Sequence, residues 1–223
     1  MSAAAGPTAH HAGPGGAPAA HDEAPAHAVA PALEGCVFIG MSVDGFIARL
    51  DGDLDWLTER GEAAGDAGFR DFVSSVDAVL MGRGTYEVIA GFDSWPYQDK
   101  PVHVLSSSLR DGDDARVVVH ADLEDAVAAM SESGVGRVYV DGGRAVQACL
   151  AAGLVTELTL SRVPVLIGSG APLFGPLPAD VDLEHRRTEV LPGGMVQTTY
   201  GVVAAPTTPP GVDDVAADEW GDG

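Results

Sequence analysis

Residues 137–153, Arg-Val-Tyr-Val-Asp-Gly-Gly-Arg-Ala-Val-Gln-Ala-Cys-Leu-Ala-Ala-Gly, join a strand pattern to a helix pattern through a pair of glycines. The apolar run predicts a strand at Arg137–Val140, and the segment after the glycines predicts a helix at Ala145–Ala152. That helix ends at Gly153, as glycine ends many helices. A strand that runs straight into a helix is the repeating unit of α/β domains with parallel sheets. The stretch therefore predicts an α/β fold.

The same alternation continues on both sides of this stretch. Further strands are predicted at Cys36–Met41, Asp77–Met81, Val102–Leu105, Val117–His120, Glu157–Pro164, Leu183–Leu191 and Met195–Val203. Further helices are predicted at Phe69–Val76, Arg83–Ala90 and Leu123–Ser131, and Ser42 to Asp55 is predicted to be a loop. The last two strands are joined by Pro192-Gly193-Gly194, a hairpin signal. We expect a mixed, mostly parallel sheet with an antiparallel C-terminal edge.

The chain is predicted to hold one domain, at residues 34–204. Residues 1–33 consist almost entirely of Ala, Pro, Gly and His, and residues 205–223 are rich in Pro, Thr and Asp. Such compositions bury too little apolar surface to offset the entropy lost on ordering. Both ends are therefore predicted to be disordered tails.

The formal net charge is −21. The two ends carry seven acids and no Lys or Arg, so the predicted domain has 26 acids against 12 bases. An acidic domain argues against nucleic acid or an anionic membrane as the main partner. The chain begins with neither a basic segment nor a continuous apolar one, which argues against an export signal. Cys36 and Cys149 lie in apolar stretches, as buried reduced thiols do. We expect a cytoplasmic protein.

Three segments suited to anions follow predicted strands, at the strand ends where open α/β sheets bind ligands. Gly82-Arg83-Gly84-Thr85 opens a helix with two glycines, a guanidinium and a hydroxyl. Ser106-Ser107-Ser108 supplies hydroxyls that suit a phosphate monoester or an ordinary loop equally well. Asp141-Gly142-Gly143-Arg144 opens a helix with a glycine pair that can cradle a pyrophosphate. Together they predict a dinucleotide across the sheet edge, and Arg83 with the serines favours NADP over NAD.

The sequence lacks the motifs of several other classes of enzyme. It contains no G-x-G-x-x-G and no Walker motif, no G-x-S-x-G elbow, and no H-x-E with P-C-x-x-C. His103, His120 and His185 are not spaced as metal ligands, so no metal site is predicted.

The three motifs, in this order, resemble the cofactor-binding motifs of dihydrofolate reductases. The chain is still more similar to the C-terminal reductase domain of the bacterial riboflavin-biosynthesis deaminase-reductase and its small stand-alone relatives. Further segments that support this resemblance are Met41–Ala48, Asp53–Leu57, Trp95–Tyr97, Leu154–Leu158 and Pro164–Phe174. The resemblance covers residues 35–203 and implies a dihydrofolate-reductase-like three-layer α/β fold and an NADPH-dependent reductase.

The resemblance also implies roles for individual residues. The adenosine end of NADPH and its 2′-phosphate would be held by Gly82, Arg83, Gly84, Thr85, Ser106, Ser107 and Ser108, and the pyrophosphate by Gly142, Gly143 and Arg144. The loop Ser42–Ala48, with Phe46 and Ile47, would flank the nicotinamide, and Trp56 would lie near the substrate. Asp44 is the candidate proton relay, although it could equally brace the Asp-Gly turn. The family also implies a homodimer.

Residues expected to contact the substrate depart from the family pattern. The biosynthetic reductases carry basic residues that suit a phosphorylated sugar where this chain has Phe38 and Phe46. Asp66 and Asp71 match the substrate carboxylate of dihydrofolate reductases only loosely. A less charged, flatter carbonyl, imine or pterin-like molecule is therefore expected.

Two hypotheses from other classes of function remain. The chain could be an NADPH-binding sensor or scaffold without turnover, and an open pocket near Ser42–Ala48 and Trp56 would favour the enzyme over this alternative. A hydrolase would need a nucleophile and base that the sequence lacks.

Overall fold

The structure, a computed structural model, describes residues 33–97, 99–110 and 112–203. Its strands are β1 (Glu34–Ser42), β2 (Phe46–Ala48), β3 (Ala78–Gly82), β4 (Val102–Leu105), β5 (Val117–His120), β6 (Arg137–Asp141), β7 (Val155–Val163), β8 (Ala171–Pro172), β9 (Leu183–Val190) and β10 (Val196–Val202). Its α-helices are α1 (Asp55–Gly61), α2 (Phe69–Ser74), α3 (Arg83–Ala90), α4 (Leu123–Glu132) and α5 (Gly143–Ala151). Apart from Leu33, the two predicted tails lie outside the described residues.

Eight of the strands form one sheet in the order β5-β4-β3-β6-β1-β7-β10-β9. Every pairing from β5 to β7 is parallel, whereas β10 runs antiparallel to both β7 and β9. The predicted mixed sheet with an antiparallel C-terminal edge is confirmed. The β9–β10 hairpin predicted from Pro192-Gly193-Gly194 is also present.

Alternating side chains of the strands face two helical layers. One core packs β1 residues such as Val37 and Ile39 against Met130 of α4 and Val146 of α5. On the opposite face, β3 and β6 pack against α2 and α3 in a cluster that includes Tyr139. A third, smaller cluster lies beneath α1. Helices on both faces of a central sheet give the three-layer α/β architecture expected. No helix within the described ranges is long and apolar enough to cross a membrane.

Residues 42–55 differ from the predicted loop. They contain β2, which pairs with β8 in a separate two-stranded sheet, Phe46 opposite Pro172 and Ala48 opposite Ala171. Helix α1 begins at Asp55, the last residue of this segment. A three-residue strand has too few positions to show an alternating pattern, and its partner lies far away in the sequence. This small sheet therefore depends on tertiary contacts rather than on local sequence.

Candidate functional site

The three predicted anion-binding segments lie side by side at the carboxyl edge of the sheet. They follow β4, β3 and β6, and these strands are adjacent in the sheet order. The sequence placed each motif at a strand end, and the topology brings all three to one edge. Such an edge, where parallel strands end, is the usual ligand position in open α/β sheets.

The two helices at this edge begin without side-chain caps. Gly82 is the N-cap of α3 and Gly142 the N-cap of α5, and neither helix has a capping side-chain hydrogen bond. The first-turn N–H groups of a helix have no partner inside it, and the helix dipole adds positive potential there. Both N-termini are therefore suited to bind an anion.

Gly142 of the third motif lies in contact with Thr85 of the first. It has a positive φ of 86°, and a Cβ at this position would collide with the hydroxyl of Thr85. Gly143 approaches the carbonyl of Pro172 so closely that a Cβ would overlap its oxygen. Contacts within the protein therefore already require both glycines of the predicted pyrophosphate cradle.

Open space lies instead at the start of α3. A Cβ on Gly82 or Gly84 would meet no heavy atom within 4 Å. Arg83 between them is exposed, and its Nη1 lies 3.7 Å from Oε1 of Glu87 on the next turn. The residues predicted to hold the adenosine phosphate thus leave room for a ligand and include a guanidinium that reaches solvent.

The serines after β4 divide into two roles. The Ser106 hydroxyl accepts hydrogen bonds from the backbone N–H of Ser108 at 3.2 Å and of Leu109 at 2.9 Å. Ser106 therefore closes the turn, whereas Ser107 and Ser108 are exposed. Arg144, on the first turn of α5, is also exposed. These exposed side chains are the ones that could contact a bound phosphate.

Asp141, the first residue of the third motif, accepts a short side-chain hydrogen bond at this edge. The Tyr97 hydroxyl donates to its Oδ2 at 2.7 Å. Burial raises the pKa of the Asp141 carboxyl, and the hydrogen bond from Tyr97 offsets this in part. The role of Tyr97 was not predicted from the sequence. The signal available was the Trp95–Tyr97 segment, an aromatic cluster inside a loop.

Asp44, the predicted proton relay, links the turn after β1 to the loop that contains Ile167 and Gly168. Its carboxylate accepts hydrogen bonds from the backbone N–H of Ile167 at 3.2 Å and of Gly168 at 2.7 Å. A hydrogen bond from Ser42, followed by these backbone bonds, lowers the pKa of Asp44, so the carboxylate is held ionised. This geometry agrees with the bracing alternative, and a part in proton transfer stays a prediction.

The predicted substrate residues fall in different environments. Phe46 and Ile47 are half-buried in β2, beside the carboxyl end of β1. Trp56 is only 2% exposed and packs with Val163 and Met195. Its indole N–H is buried and has no hydrogen-bond partner among the described residues. The structure therefore places Trp56 in the core rather than on an open pocket wall.

A buried histidine pair was not foreseen from the sequence. Nδ1 of His103 lies 2.9 Å from Nε2 of His120, and Nδ1 of His120 lies 3.1 Å from Oδ2 of Asp125. Burial, followed by the neighbouring His120, lowers the pKa of His103. The described residues contain no group of three or more His, Cys, Asp or Glu side chains arranged to hold a metal ion. The available signal was one histidine in each of two adjacent valine-rich strands.

The strand order and the loops at the carboxyl edge define a dihydrofolate-reductase-like α/β domain. More specifically, the chain belongs to the RibD C-terminal domain family, whose model matches residues 35–197.

Individual relatives agree with this assignment. YwjB of Bacillus subtilis is 33% identical over 167 residues, which are 74% of this chain and 95% of that protein. A protein of Shewanella sp. PV-4 named for riboflavin biosynthesis has a crystal structure with a TM-score of 0.70 and 36% identity. The match covers 76% of this chain and 98% of that one.

A more distant structure shares the fold alone. It is the diaminohydroxyphosphoribosylaminopyrimidine deaminase/5-amino-6-(5-phosphoribosylamino)uracil reductase of Thermotoga maritima, with a TM-score of 0.62 and 15% identity. The match covers 78% of this chain and 57% of the Thermotoga protein.

Proposed function

We propose that this chain is an NADPH-dependent reductase of the riboflavin-biosynthesis reductase type, acting on a small carbonyl, imine or pterin-like molecule. The observation that carries the proposal is the contact of Gly142 with Thr85. It fixes the α3 and α5 N-termini side by side, next to the serine loop, so that two anion-binding helix ends face one edge. A dinucleotide carries phosphates at a spacing that two neighbouring sites can bind together.

The residues at this edge fit the parts of NADPH. Arg83, Ser107 and Ser108 would bind the 2′-phosphate, and the α5 N-terminus with Arg144 would bind the pyrophosphate. Phe46 and Ile47 would border the nicotinamide, held in place by the contacts of Asp44 with Ile167 and Gly168. When bound, NADPH supplies hydride, and the protein positions it against the substrate.

The reaction balances with one proton from solvent or from an acid at the site. Bound NADPH would supply the hydride for the carbon of a C=O or C=N bond and would leave as NADP⁺, and the oxygen or nitrogen would take the proton. Asp141 is a candidate to hold that proton, because burial raises the pKa of its carboxyl and Tyr97 shares a hydrogen bond with it. A group with a pKa moved towards neutrality is better suited to this step than the ionised Asp44.

A second function, NADPH binding without turnover, is favoured by one observation. Trp56 is buried with Val163 and Met195, at a position where the sequence analysis expected an open pocket in an enzyme. NADPH oxidation with a panel of carbonyl and pterin compounds separates the two functions. Turnover above the rate without protein supports the reductase, and tight binding without turnover supports the sensor.

The cofactor is tested by isothermal titration with NADPH and with NADH. We expect NADPH to bind at least tenfold more tightly, since a charge-assisted phosphate contact contributes about 1.5–3 kcal/mol. Arg83→Ala should weaken NADPH binding by about tenfold and leave NADH binding unchanged. Arg70→Ala is the matched control, because Arg70 also pairs with an acid one turn away but lies on α2. Equal affinity for both nucleotides would contradict the 2′-phosphate assignment.

The homodimer and the cytoplasmic location inferred from the sequence remain predictions. Size-exclusion chromatography with light scattering measures the first directly.

A further inference from the structure

Gln147 on α5 bonds to residues 171–175, a segment of the chain that begins with β8. Its side-chain Nε2 donates to the carbonyl oxygens of Pro172 and Leu173, both at 3.2 Å. A primary amide carries two N–H groups, so one side chain can serve both carbonyls at once. These bonds tie residues 171–175 to the helix whose N-terminus is the candidate pyrophosphate site.

The backbone of this segment also packs closely against α5. Gly143 lies one turn before Gln147, on the same face of the helix, and a Cβ on Gly143 would overlap the carbonyl oxygen of Pro172. A Cβ on Gly175 would lie 2.7 Å from Oε1 of Gln147. The Gln147 amide therefore faces the segment with both of its ends, the nitrogen towards the two carbonyls and the oxygen towards Gly175.

The same segment is bonded to the loop predicted to flank the nicotinamide. The backbone N–H of Leu173 donates to the carbonyl of Gly45 at 3.0 Å, and Phe46 of β2 pairs with Pro172 of β8. The side chain of Leu173 is fully buried in a core that α5 also lines. Leu173 therefore bonds to the loop through its N–H and to Gln147 through its carbonyl.

The two halves of the candidate cofactor site are connected to α5 in different ways. The proposed adenosine half lies at α3, which contacts α5 directly where Gly142 meets Thr85. The proposed nicotinamide half is the loop 42–48, which comes from a distant part of the chain and is joined to α5 through residues 171–175. One NADPH molecule must meet both halves at once. A site that is already arranged in this way loses less entropy when the ligand binds.

We propose that Gln147 is a positioning residue, which holds the loop 42–48 at the distance from α5 that the nicotinamide half of NADPH requires. It acts through Pro172 and Leu173 rather than by contact with the cofactor. This inference rests on the proposed reductase function, because the loop and the α5 N-terminus bind a cofactor only under that function. It assigns the alignment of the two halves of the site to the hydrogen bonds of one amide.

The test compares two ligands by isothermal titration of the full chain. NADPH spans both halves of the site, whereas adenosine 2′,5′-bisphosphate has the adenosine end and its 2′-phosphate but no nicotinamide. Gln147→Ala removes the amide and keeps a residue that favours the helix. It should weaken NADPH binding about tenfold, as expected if about a tenth of the molecules keep the binding-competent arrangement. The affinity for the bisphosphate should not change, whereas a general loss of structure would weaken both ligands.

Gly175→Ala moves the Gln147 amide without changing residue 147. The added methyl group would meet Oε1, the end of a flexible side chain, and should displace the amide from the two carbonyls. We expect the same selective loss of NADPH affinity, and no further loss when Gly175→Ala is combined with Gln147→Ala. Ser133→Ala is the matched control, because it removes a side-chain hydrogen bond to the carbonyl of Ala129 on α4. It should bind both ligands as the wild type does.

Hydrogen exchange at the backbone N–H of Leu173 tests the connection without a ligand. This N–H should exchange about tenfold faster in Gln147→Ala and Gly175→Ala, the effect expected for the loss of about one hydrogen bond. Unchanged exchange, unchanged NADPH affinity in Gln147→Ala, or equal weakening of the two ligands would overturn the positioning role and leave the reductase function standing. If NADPH fails to bind the wild type, both proposals fail.

Discussion

The hydroxyl of Tyr97 donates a hydrogen bond of 2.7 Å to Oδ2 of Asp141, a residue 44 positions further along the chain. This bond ties the loop before β4 to the residue that leads into α5. Tyr97 is 1% exposed and Tyr139 packs beside it, with ring centroids 6.1 Å apart. Asp141, which directly precedes the two glycines of the candidate pyrophosphate site, is therefore held in place by the loop that contains Tyr97.

Removing this hydroxyl should destabilise the fold. Tyr97→Phe leaves Asp141 without its donor in a buried setting, and we expect the free energy of unfolding to fall by about 1–3 kcal/mol. Urea denaturation measures the change. Tyr200→Phe is the matched control and should stay within about 0.5 kcal/mol, because the contact of Tyr200 with His185 is made by its ring. Equal losses in the two variants would contradict a specific role for the Tyr97–Asp141 bond.

The carboxyl of Asp141 should make stability depend on pH. Burial raises its pKa in the folded state above the value in the unfolded chain. The contribution of a group shifted in this direction is fully present below the unfolded pKa and is lost as pH rises through the folded pKa. The free energy of unfolding of the wild type, relative to that of Asp141→Asn, should therefore decrease as pH rises from about 4. A difference that is flat with pH would show that the carboxyl is not perturbed.

The contact of Gly142 with Thr85 predicts an energetic coupling between two motifs. Gly142→Ala places a Cβ at positive φ and against the Thr85 side chain, and should cost between about 2 and 5 kcal/mol of stability. Thr85→Ala in the same chain removes the obstructing hydroxyl and should recover at least about 1 kcal/mol of that loss. A double-mutant cycle by urea denaturation measures the coupling.

Gly84→Ala provides the control for this cycle. A Cβ there meets nothing within 4 Å, and alanine favours a helix, so stability should be unchanged or rise by up to about 1 kcal/mol. Additive effects of Gly142→Ala and Thr85→Ala would argue against the contact.

The two cysteines should be unreactive in the folded protein. Burial raises the pKa of Cys149 to about 12 and also raises that of Cys36. Because the thiolate is the reactive form, Ellman's reagent at pH 8 should label neither thiol until the protein is unfolded. Ser107→Cys, at an exposed position, is the positive control and should react at once. Rapid labelling of the wild type would mean that the cores around these thiols open readily.

Local sequence pattern was enough to locate most elements. Strands β4 and β5 and helix α3 have the predicted bounds, because continuous apolar runs and glycine boundaries specify them without reference to the rest of the chain. Helix α5 begins at Gly143 rather than Ala145, because its first turn includes Gly143 and Arg144 and Gly142 is the N-cap.

Contacts across long sequence distances could not be predicted in the same way. The burial of Trp56 depends on Val163, the last residue of β7, and on Met195, just before β10. The His103–His120 pair depends on β4 and β5 lying in register. The sequence located the candidate cofactor motifs because each is continuous in the chain, whereas the Tyr97–Asp141 hydrogen bond joins residues 44 positions apart.

The strand order has a consequence for how this chain folds as it is synthesised. β1 leaves the ribosome first, yet its two neighbours in the sheet are β6 and β7, so its hydrogen bonds must wait until residues 137–163 have emerged. The outer edge of β7 waits longer still, for β10 near the C-terminal end of the described residues. Until then the nascent chain exposes the apolar strand Cys36–Met41, a segment that is prone to aggregate. We therefore expect the sheet to be completed only after β10 has been synthesised.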